Sequence, residues 1–259
     1  MNYEKRICCF IDILGFRNHI KDTIQETNED NLEKIESIKN IFDLSKRMTY
    51  DSGFSKSKVV TYFSDSIVIS YEFSENSQLY HTLIDLLYVS FELANKGYLV
   101  RGGVTIGKLI HTKELIFGPA MVSAYDLESK KAKYPRIIVE KSVVENGIKF
   151  RQENHSQDDE LEYIKEILTQ DEDGYYYIDY IAKAYTEFND PEYDLYNYLE
   201  RLKLFFIDFN HKAEDIKEKL IWLQKKINNQ ISQIHINIER ENFDLELRNY
   251  YRTLKLLEI

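Results

Sequence analysis

The apolar positions change their period several times within the first 150 residues. Residues 5–13 form a short apolar run that is rich in strand-favouring side chains, and this run predicts a strand. Residues 32–48 place apolar side chains at helical spacing, so the strand is followed by helices. Two further apolar runs, 58–63 and 66–73, are separated by only two polar residues. This spacing predicts a β-hairpin.

The same alternation continues along the chain. Residues 77–96 show helical spacing and stop at Gly97, a residue suited to a helix C-terminus. Residues 98–110 read as a strand whose glycines permit close backbone approach. A brief strand and a helix with Pro119 in its first turn come next, and residues 134–144 form a last strand and helix. The order β-αα-ββ-α-β-α-β predicts an α/β fold of the α+β type, with a ferredoxin-like or palm-type sheet and its helices on one face.

The character of the sequence changes near residue 150. The polar stretch 151–160 is the best linker candidate, although it also fits a surface loop or the first turn of a helix. Beyond it the chain is rich in Tyr and Phe and has helical periodicity. We therefore predict one domain over residues 1–150 and a helical C-terminal extension over residues 151–259.

Composition restricts the partners and the compartment. The chain has 259 residues, 43% of them hydrophobic, which is enough for a sizeable core. Its 34 basic and 44 acidic residues give a net charge of -10, so we expect no general attraction to nucleic acid or to an anionic membrane. The adjacent Cys8 and Cys9 lie in an apolar run and predict buried thiols in a reducing compartment. With no signal peptide pattern and no apolar stretch of about 18 residues, we expect a cytoplasmic protein.

Two aspartates stand where apolar strands break off. Asp12 ends the first strand, and Asp65 sits at the tip of the hairpin. A carboxylate at such a place must be solvated, paired or bound to metal, because a lone buried charge is costly. In a palm-type sheet the two positions meet, so both carboxylates and the Ile13 carbonyl could hold two divalent cations, Mg²⁺ or Mn²⁺, on a nucleoside triphosphate. The alternative is that Asp12 caps a helix and Asp65 is an ordinary turn residue.

Other polar features add less. Leu14, Gly15 and Phe16 open the helix after the first strand, where free N–H groups favour the β- and γ-phosphates of such a substrate. The six histidines lack metal-ligand spacing and are expected to be satisfied or surface residues. The sequence contains no P-loop, and RGGVTIG does not fit the dinucleotide-binding fingerprint.

Four segments in the same order resemble the catalytic domain of class III nucleotidyl cyclases. FIDILGF is similar to the first metal motif of that family, and FSDSIVIS is similar to its second, which carries an aspartate on a hairpin. LVRGGVTIGKLI and FGPAMVSAYDLESKKAKYPRIIVE resemble the later strand, turn, helix and strand. The resemblance covers roughly residues 5–145.

Within that family, the chain looks most like the pyrimidine cyclases of bacterial Pycsar anti-phage systems. The RGG strand, the GPA and LES helix, and the DGYYYIDY and EKLIWL segments of the tail carry this resemblance. It implies conversion of UTP or CTP to cyclic UMP or cyclic CMP, with two Mn²⁺ or Mg²⁺ ions and a separate effector protein that responds to the product. The ribose 3′ hydroxyl would attack the α-phosphate in line and expel pyrophosphate.

The chain also departs from the family's adenylyl cyclases. The lysine and aspartate that read adenine fall at Thr61 and Leu115, and the asparagine and arginine that steady the ribose and transition state fall at Val122 and Asp126. Adenine recognition of the usual kind is therefore not expected. These replacements are compatible either with a pyrimidine substrate or with a weakened enzyme.

The resemblance suggests further site residues. Thr61 or Tyr62 would contact the base, Arg101 would reach base or phosphate as a catalytic residue, and Tyr125 is a weaker substrate-binding candidate. The ordinary alternatives are a packed tyrosine and an arginine in an ion pair. The family's site forms between two protomers, so we expect a homodimer in which the partner supplies the helix around residues 122–128.

The sequence thus leads to a metal-dependent nucleotidyl cyclase as its main functional hypothesis. The main alternative is a non-catalytic module that binds a nucleotide or a protein and acts as a sensor. A palm-fold polymerase that makes an oligonucleotide messenger is a third hypothesis, although the chain lacks a Gly-Gly-Asp-Asp signature.

Overall fold

The computed structural model describes residues 2–50, 57–240 and 244–258. The chain divides into two compact units, Met1–Ile178 and Asp179–Ile259. Residues 151–178, which the sequence analysis assigned to the extension, supply a helix and two strands to the first unit.

The first unit combines a mixed sheet with helices. Its strands are β1 (Glu4–Ile13), β2 (Val59–Phe63), β3 (Ser66–Glu72), β4 (Val100–His111), β5 (Ile116–Phe117), β6 (Ile137–Val139), β7 (Leu168–Gln170) and β8 (Tyr176–Ile178). Its helices are α1 (Phe16–Lys21), α2 (Leu32–Tyr50), α3 (Gln78–Asn95), α4 (Pro119–Lys131), α5 (Lys141–Gly147) and α6 (Gln157–Ile167), with a 3₁₀ turn at Ile148–Phe150.

The strand order confirms the predicted ferredoxin-like sheet. The strands run in the order β2-β3-β1-β4-β6-β8-β7, and β5 pairs with β4 outside this path. Strand β1 is antiparallel to both β3 and β4, and β3 is antiparallel to β2. This is the split βαβ arrangement, which sets the end of β1 beside the β2–β3 turn.

Helices cover both faces of the sheet, so the prediction of helices on one face only is wrong. Cys8 and Phe10 of β1 pack against Ala124 of α4. On the opposite face, the hydroxyl of Tyr71 in β3 donates to Asp85 of α3 over 2.7 Å. The physical reason is that β1 carries apolar side chains on both of its faces, and each face requires cover.

Gly103 of β4 allows α4 to lie directly on the strand. A Cβ atom at this position would stand 2.5 Å from the backbone oxygen of Ala124 and 2.8 Å from the Leu127 Cβ atom. The close backbone approach predicted for the glycines of this strand is therefore confirmed here, and it sets the position of α4 relative to β1.

The second unit is helical, as predicted. It contains α7 (Pro191–Lys203), α8 (Glu214–Arg240) and α9 (Leu245–Arg252), with 3₁₀ turns at Ala184–Glu187, Leu204–Phe206 and Phe209–His211. The Asn228 side chain exchanges two hydrogen bonds, of 2.8 and 3.0 Å, with the backbone of Leu257 and so ties the last segment to α8. Among the described helices of the chain, none has the length and apolarity to cross a bilayer.

A buried arginine connects β6 to the β7–β8 turn in the first unit. Arg136 is fully buried, and its guanidinium pairs with Asp171 and Asp173. Tyr134 and Tyr177 lie 5.2 and 5.6 Å from the guanidinium carbon, measured to the ring centroids. The charge is compensated on one side and covered by aromatic rings on the other, as a buried cation requires.

Replacing Arg136 by Met should lower the free energy of unfolding of the first unit by about 3 kcal/mol, because two carboxylates lose their buried partner. Urea denaturation measures this difference. Lys141→Met is the matched control, since Lys141 forms an exposed pair with Glu145 and its loss should cost under about 1 kcal/mol. Equal effects of the two substitutions would refute the structural role of Arg136.

Candidate functional site

The two predicted aspartates meet at one edge of the sheet. The N–H of Ile13 donates to the backbone oxygen of Asp65 over 3.0 Å, which holds the hairpin turn against the end of β1. Burial raises the pKa of Asp12, the Arg101 guanidinium opposes this shift, and the charge of Asp65 adds to it. The charge of Asp65 therefore acts on the Asp12 carboxylate.

The N-cap of α1 is Gly15, so the alternative that Asp12 caps this helix is wrong.

Arg101 links Asp12 to a third carboxylate, Glu128. Arg101 is the antiparallel partner of Asp12 in the sheet, and its Nε atom lies 3.4 Å from Asp12 Oδ2. The same Nε atom lies 2.5 Å from Oε1 of Glu128 on α4, although the geometry is not that of a hydrogen bond. Burial raises the pKa of Glu128 to about 7; Arg101 opposes the shift, and the charges of Asp12 and Asp65 add to it.

The sequence analysis did not identify Glu128 as a site residue. Its side chain is only 3% exposed, and it follows Ala124 by four residues and Ala120 by eight, both on the buried face of α4. Residues at this spacing share one face of a helix. A charged residue on a face otherwise lined by small apolar side chains was the available signal, and it indicated a buried carboxylate that needs a partner.

The donor chemistry at this edge fits a hard divalent cation. Asp12 and Asp65 supply carboxylate oxygens, which Mg²⁺ and Mn²⁺ prefer. Asp12 and Glu128 both contact the Arg101 guanidinium, and the charge of Asp65 acts on both of them, so negative charge is in excess when all three carboxylates are ionised. In the described part of the chain, no group of three or more His, Cys, Asp or Glu residues is arranged as a metal site. Two carboxylates leave most of a coordination shell to substrate oxygens or water.

The segment predicted to hold phosphates is already partly engaged. The N–H of Leu14 donates to the Leu99 backbone oxygen over 2.8 Å. The ring of Phe16 is buried and packs edge-on against Phe42, with the centroids 5.8 Å apart. Gly15 lies at the exposed turn with a φ of 73°, a conformation that suits glycine. Of the three residues, only Gly15 is exposed, and its backbone oxygen accepts from the Asn18 N–H over 2.8 Å.

The two candidates for base contact point to opposite faces of the sheet. Thr61 Oγ1 lies 2.9 Å from His111 Nε2, on the face that carries α4. Its neighbour Tyr62 is the antiparallel partner of Ile67, whose side chain belongs to the opposite face. Only one of the two can face a given ligand.

His111 takes part in a buried polar chain that the sequence did not reveal. Its Nδ1 atom lies 2.8 Å from Ser70 Oγ, and Arg6 Nε donates to the same oxygen over 2.8 Å. Burial lowers the pKa of His111 to about 4, and the charge of Arg6 acts in the same direction. His111 is therefore neutral near neutral pH, and the expectation of a satisfied histidine holds here.

The outer surface of α4 exposes two large apolar side chains among polar ones, whereas the Glu128 side chain near its end turns inward. Val122 is 61% exposed and Tyr125 is 51% exposed, although the Tyr125 ring also packs edge-on against Phe10 at 5.5 Å. Asp126 pairs with Lys130 on the same helix over 2.9 Å. Glu128 contacts Arg101 of its own chain. That a partner protomer supplies the helix around residues 122–128 stays a prediction.

Comparison with known proteins gives structural likeness only. No protein-family model matches the chain, and no curated protein matches it. The alignment with a bacterial light-regulated adenylyl cyclase covers 55% of this chain and 79% of the cyclase chain, with 17% identity and a TM-score of 0.40. The alignment with the adenylyl cyclase CyaB from P. aeruginosa covers 68% of this chain and 95% of the CyaB chain, with 12% identity and a TM-score of 0.44.

The raised pKa of Glu128 predicts a pH-dependent contribution to stability. The folded protein holds a proton on Glu128 up to about pH 7, whereas the unfolded chain releases it near its ordinary value of 4.5. The free energy of unfolding of the wild type relative to Glu128→Gln should therefore fall by about 2 kcal/mol between pH 5 and pH 8. Urea denaturation with EDTA at several pH values measures the difference, and parallel curves would contradict it.

Proposed function

We propose that the first unit is a metal-dependent nucleotidyl cyclase that acts on a pyrimidine nucleoside triphosphate, UTP or CTP. The products would be the 3′,5′-cyclic monophosphate and pyrophosphate. The observation that carries the proposal is the meeting of Asp12 and Asp65 at the edge of a split βαβ sheet. The resemblance of the four motifs to class III cyclases supports the same reaction.

Asp12 and Asp65 would hold the divalent cations, with the Ile13 carbonyl as a further ligand. Bound Mn²⁺ or Mg²⁺ would neutralise the triphosphate and make the ribose 3′ hydroxyl a better nucleophile. The protein's own contribution is to bring the two residues together, and the hydrogen bond from the Ile13 N–H to the Asp65 backbone oxygen holds the turn that carries Asp65 against the end of β1. Ser66, the antiparallel neighbour of Asp12, places a hydroxyl 3.5 Å from Asp12 Oδ1.

Arg101 places a positive charge at this edge of the sheet. Glu128 and Asp12 hold its guanidinium beside the proposed metal ligands. A triphosphate bound there would bring further negative charge, and the Arg101 guanidinium can contact it. Glu128 would keep Arg101 close to the phosphates. We propose that Arg101 binds phosphate oxygens and stabilises the charge that develops on the leaving pyrophosphate.

The pyrimidine preference is supported by the side chains at the base-reading positions. Thr61 and Leu115 offer a hydroxyl and an apolar side chain where adenylyl cyclases of the family carry a lysine and an aspartate. Thr61 is half-buried and Leu115 is exposed. The short Thr61 side chain with its hydroxyl and the apolar Leu115 side chain suit a base that is recognised through few polar contacts.

The proposed assembly is a homodimer whose partner covers the outer surface of α4. The exposed side chains of Val122 and Tyr125 lie there, and a partner would remove apolar area from water. A separate effector that responds to the cyclic nucleotide, and a role in anti-phage defence, rest on the resemblance to Pycsar cyclases alone.

One observation favours the sensor as the second candidate. The residues that steady the transition state in the family are replaced by Val122, which is apolar, and by Asp126, which is acidic and paired with Lys130. A protein with these replacements could bind a nucleotide without converting it. Activity and binding therefore have to be measured together.

Incubation of the purified protein with Mn²⁺ and each ribonucleoside triphosphate should give cyclic UMP or cyclic CMP, identified by mass spectrometry. Asp65→Ala should reduce the rate at least roughly 100-fold, because the metal ligand is lost. Asp158→Ala is the matched control, since Asp158 is exposed in the first turn of α6, and it should retain full activity. Full activity of Asp65→Ala would refute the metal assignment. Binding without product would favour the sensor.

A further inference from the structure

Four polar side chains from four strands form a continuous chain across the face of the sheet that carries α4. Arg6 of β1 donates from Nε to Ser70 Oγ of β3 over 2.8 Å. Ser70 Oγ lies 2.8 Å from His111 Nδ1, and His111 Nε2 lies 2.9 Å from Thr61 Oγ1 of β2. The chain begins at a buried cation and ends at Thr61, which is half-buried.

The direction of each hydrogen bond follows from the first one. A guanidinium can only donate, so Ser70 Oγ accepts from Arg6. The single proton of the Ser70 hydroxyl is then free to donate to His111 Nδ1. A neutral imidazole that accepts at Nδ1 carries its proton on Nε2, so His111 donates to Thr61 Oγ1.

The reverse direction is disfavoured by burial. If His111 Nδ1 donated to Ser70, the Ser70 hydroxyl would accept twice, and its proton would have no acceptor among the residues that the structure describes. Ser70 is fully buried, so water cannot supply one. An unsatisfied buried donor is costly, whereas the proton at the Thr61 end can reach solvent or a ligand.

Arg6 also keeps the imidazole neutral. Its guanidinium is buried, it donates to the Ser70 backbone oxygen over 3.2 Å, and it pairs with Glu4 over 2.7 Å. Its positive charge adds to burial in lowering the pKa of His111. The imidazole therefore has one donor and one acceptor nitrogen, as the hydrogen bonds to Ser70 and Thr61 require.

We propose that His111 is a positioning residue that holds Thr61 as a hydrogen-bond donor toward the nucleobase. The proposal rests on the proposed function, in which Thr61 stands at the base-reading position. His111 Nε2–H occupies one lone pair of Thr61 Oγ1, and the Thr61 proton has no other acceptor in the described ranges. The hydroxyl therefore presents its proton to a ring carbonyl or ring nitrogen of the pyrimidine. His111 itself does not touch the substrate.

The tautomer of His111 tests the direction of these hydrogen bonds independently of catalytic activity. Nitrogen-15 NMR of the labelled full-length protein distinguishes a proton on Nε2 from one on Nδ1, and the spectrum of His111→Asn assigns the signal. We expect the Nε2–H form in the wild type and its partial loss in Ser70→Ala, which removes the donor to Nδ1. A wild-type Nδ1–H form would overturn the proposal, whatever the enzyme's activity.

The kinetic test uses two substitutions, each of which places an amide near the position of a different imidazole nitrogen. The Gln amide can replace the Nε2 donor to Thr61, whereas the Asn amide reaches only the Nδ1 position. His111→Asn should raise the KM for the preferred pyrimidine triphosphate roughly five- to tenfold with kcat within about twofold, and His111→Gln should retain most of the wild-type KM. Equal losses in both variants, or a loss confined to kcat, would contradict a positioning role.

Thr61→Val supplies the matched double-mutant cycle. Alone it should raise KM as His111→Asn does, and the two together should raise it no further, because both remove the same hydrogen bond. Thr61→Ser should give a lower KM than Thr61→Val, since it keeps the hydroxyl. Additive effects would show that His111 acts independently of Thr61 and would overturn the proposal. A wild type that makes no cyclic nucleotide would instead remove the proposed function, while the tautomer result would still stand.

Discussion

The antiparallel pairing of β1 with both β3 and β4 is the constraint on which the rest of the first unit depends. This register sets Asp12 opposite Ser66 on one side and opposite Arg101 on the other. Because β1 lies inside the sheet and carries apolar side chains on both of its faces, helices must cover both faces. A slip of one residue would send Asp12 to the other face and separate it from Arg101.

Charge compensation is the second theme of this unit. Arg101 stands among carboxylates that outnumber it, and Glu128 remains protonated up to about pH 7 as a result of burial and of its acidic neighbours. Arg136 also pairs with two carboxylates, but it is fully buried and the Asp173 side chain is partly exposed, so water solvates part of that negative charge. Around Arg101 the Glu128 carboxyl is buried, and a cation or a cationic group of a partner would relieve the excess negative charge there.

The buried polar chain adds a different kind of order. Arg6, Ser70 and His111 are all buried, and each hydrogen bond determines the direction of the next. Through three successive hydrogen bonds, the fixed donor property of the Arg6 guanidinium determines the orientation of the Thr61 hydroxyl. Precise presentation of a small hydroxyl is a means by which a site can recognise a base without a charged side chain.

The sequence by itself determined the order of strands and helices up to about residue 145, the hairpin, the buried cysteines and the placement of Asp12 and Asp65, because these follow from local periodicity and from where apolar runs end. It did not predict the short strands β7 and β8. Only the tertiary structure decided that helices cover both sheet faces, that Glu128 turns toward Arg101, and that His111 reaches Ser70 and Thr61. These contacts join residues 27 to 50 positions apart, and no local pattern encodes them. They arise because β4 pairs along β1 and Gly103 lets α4 lie close against the sheet.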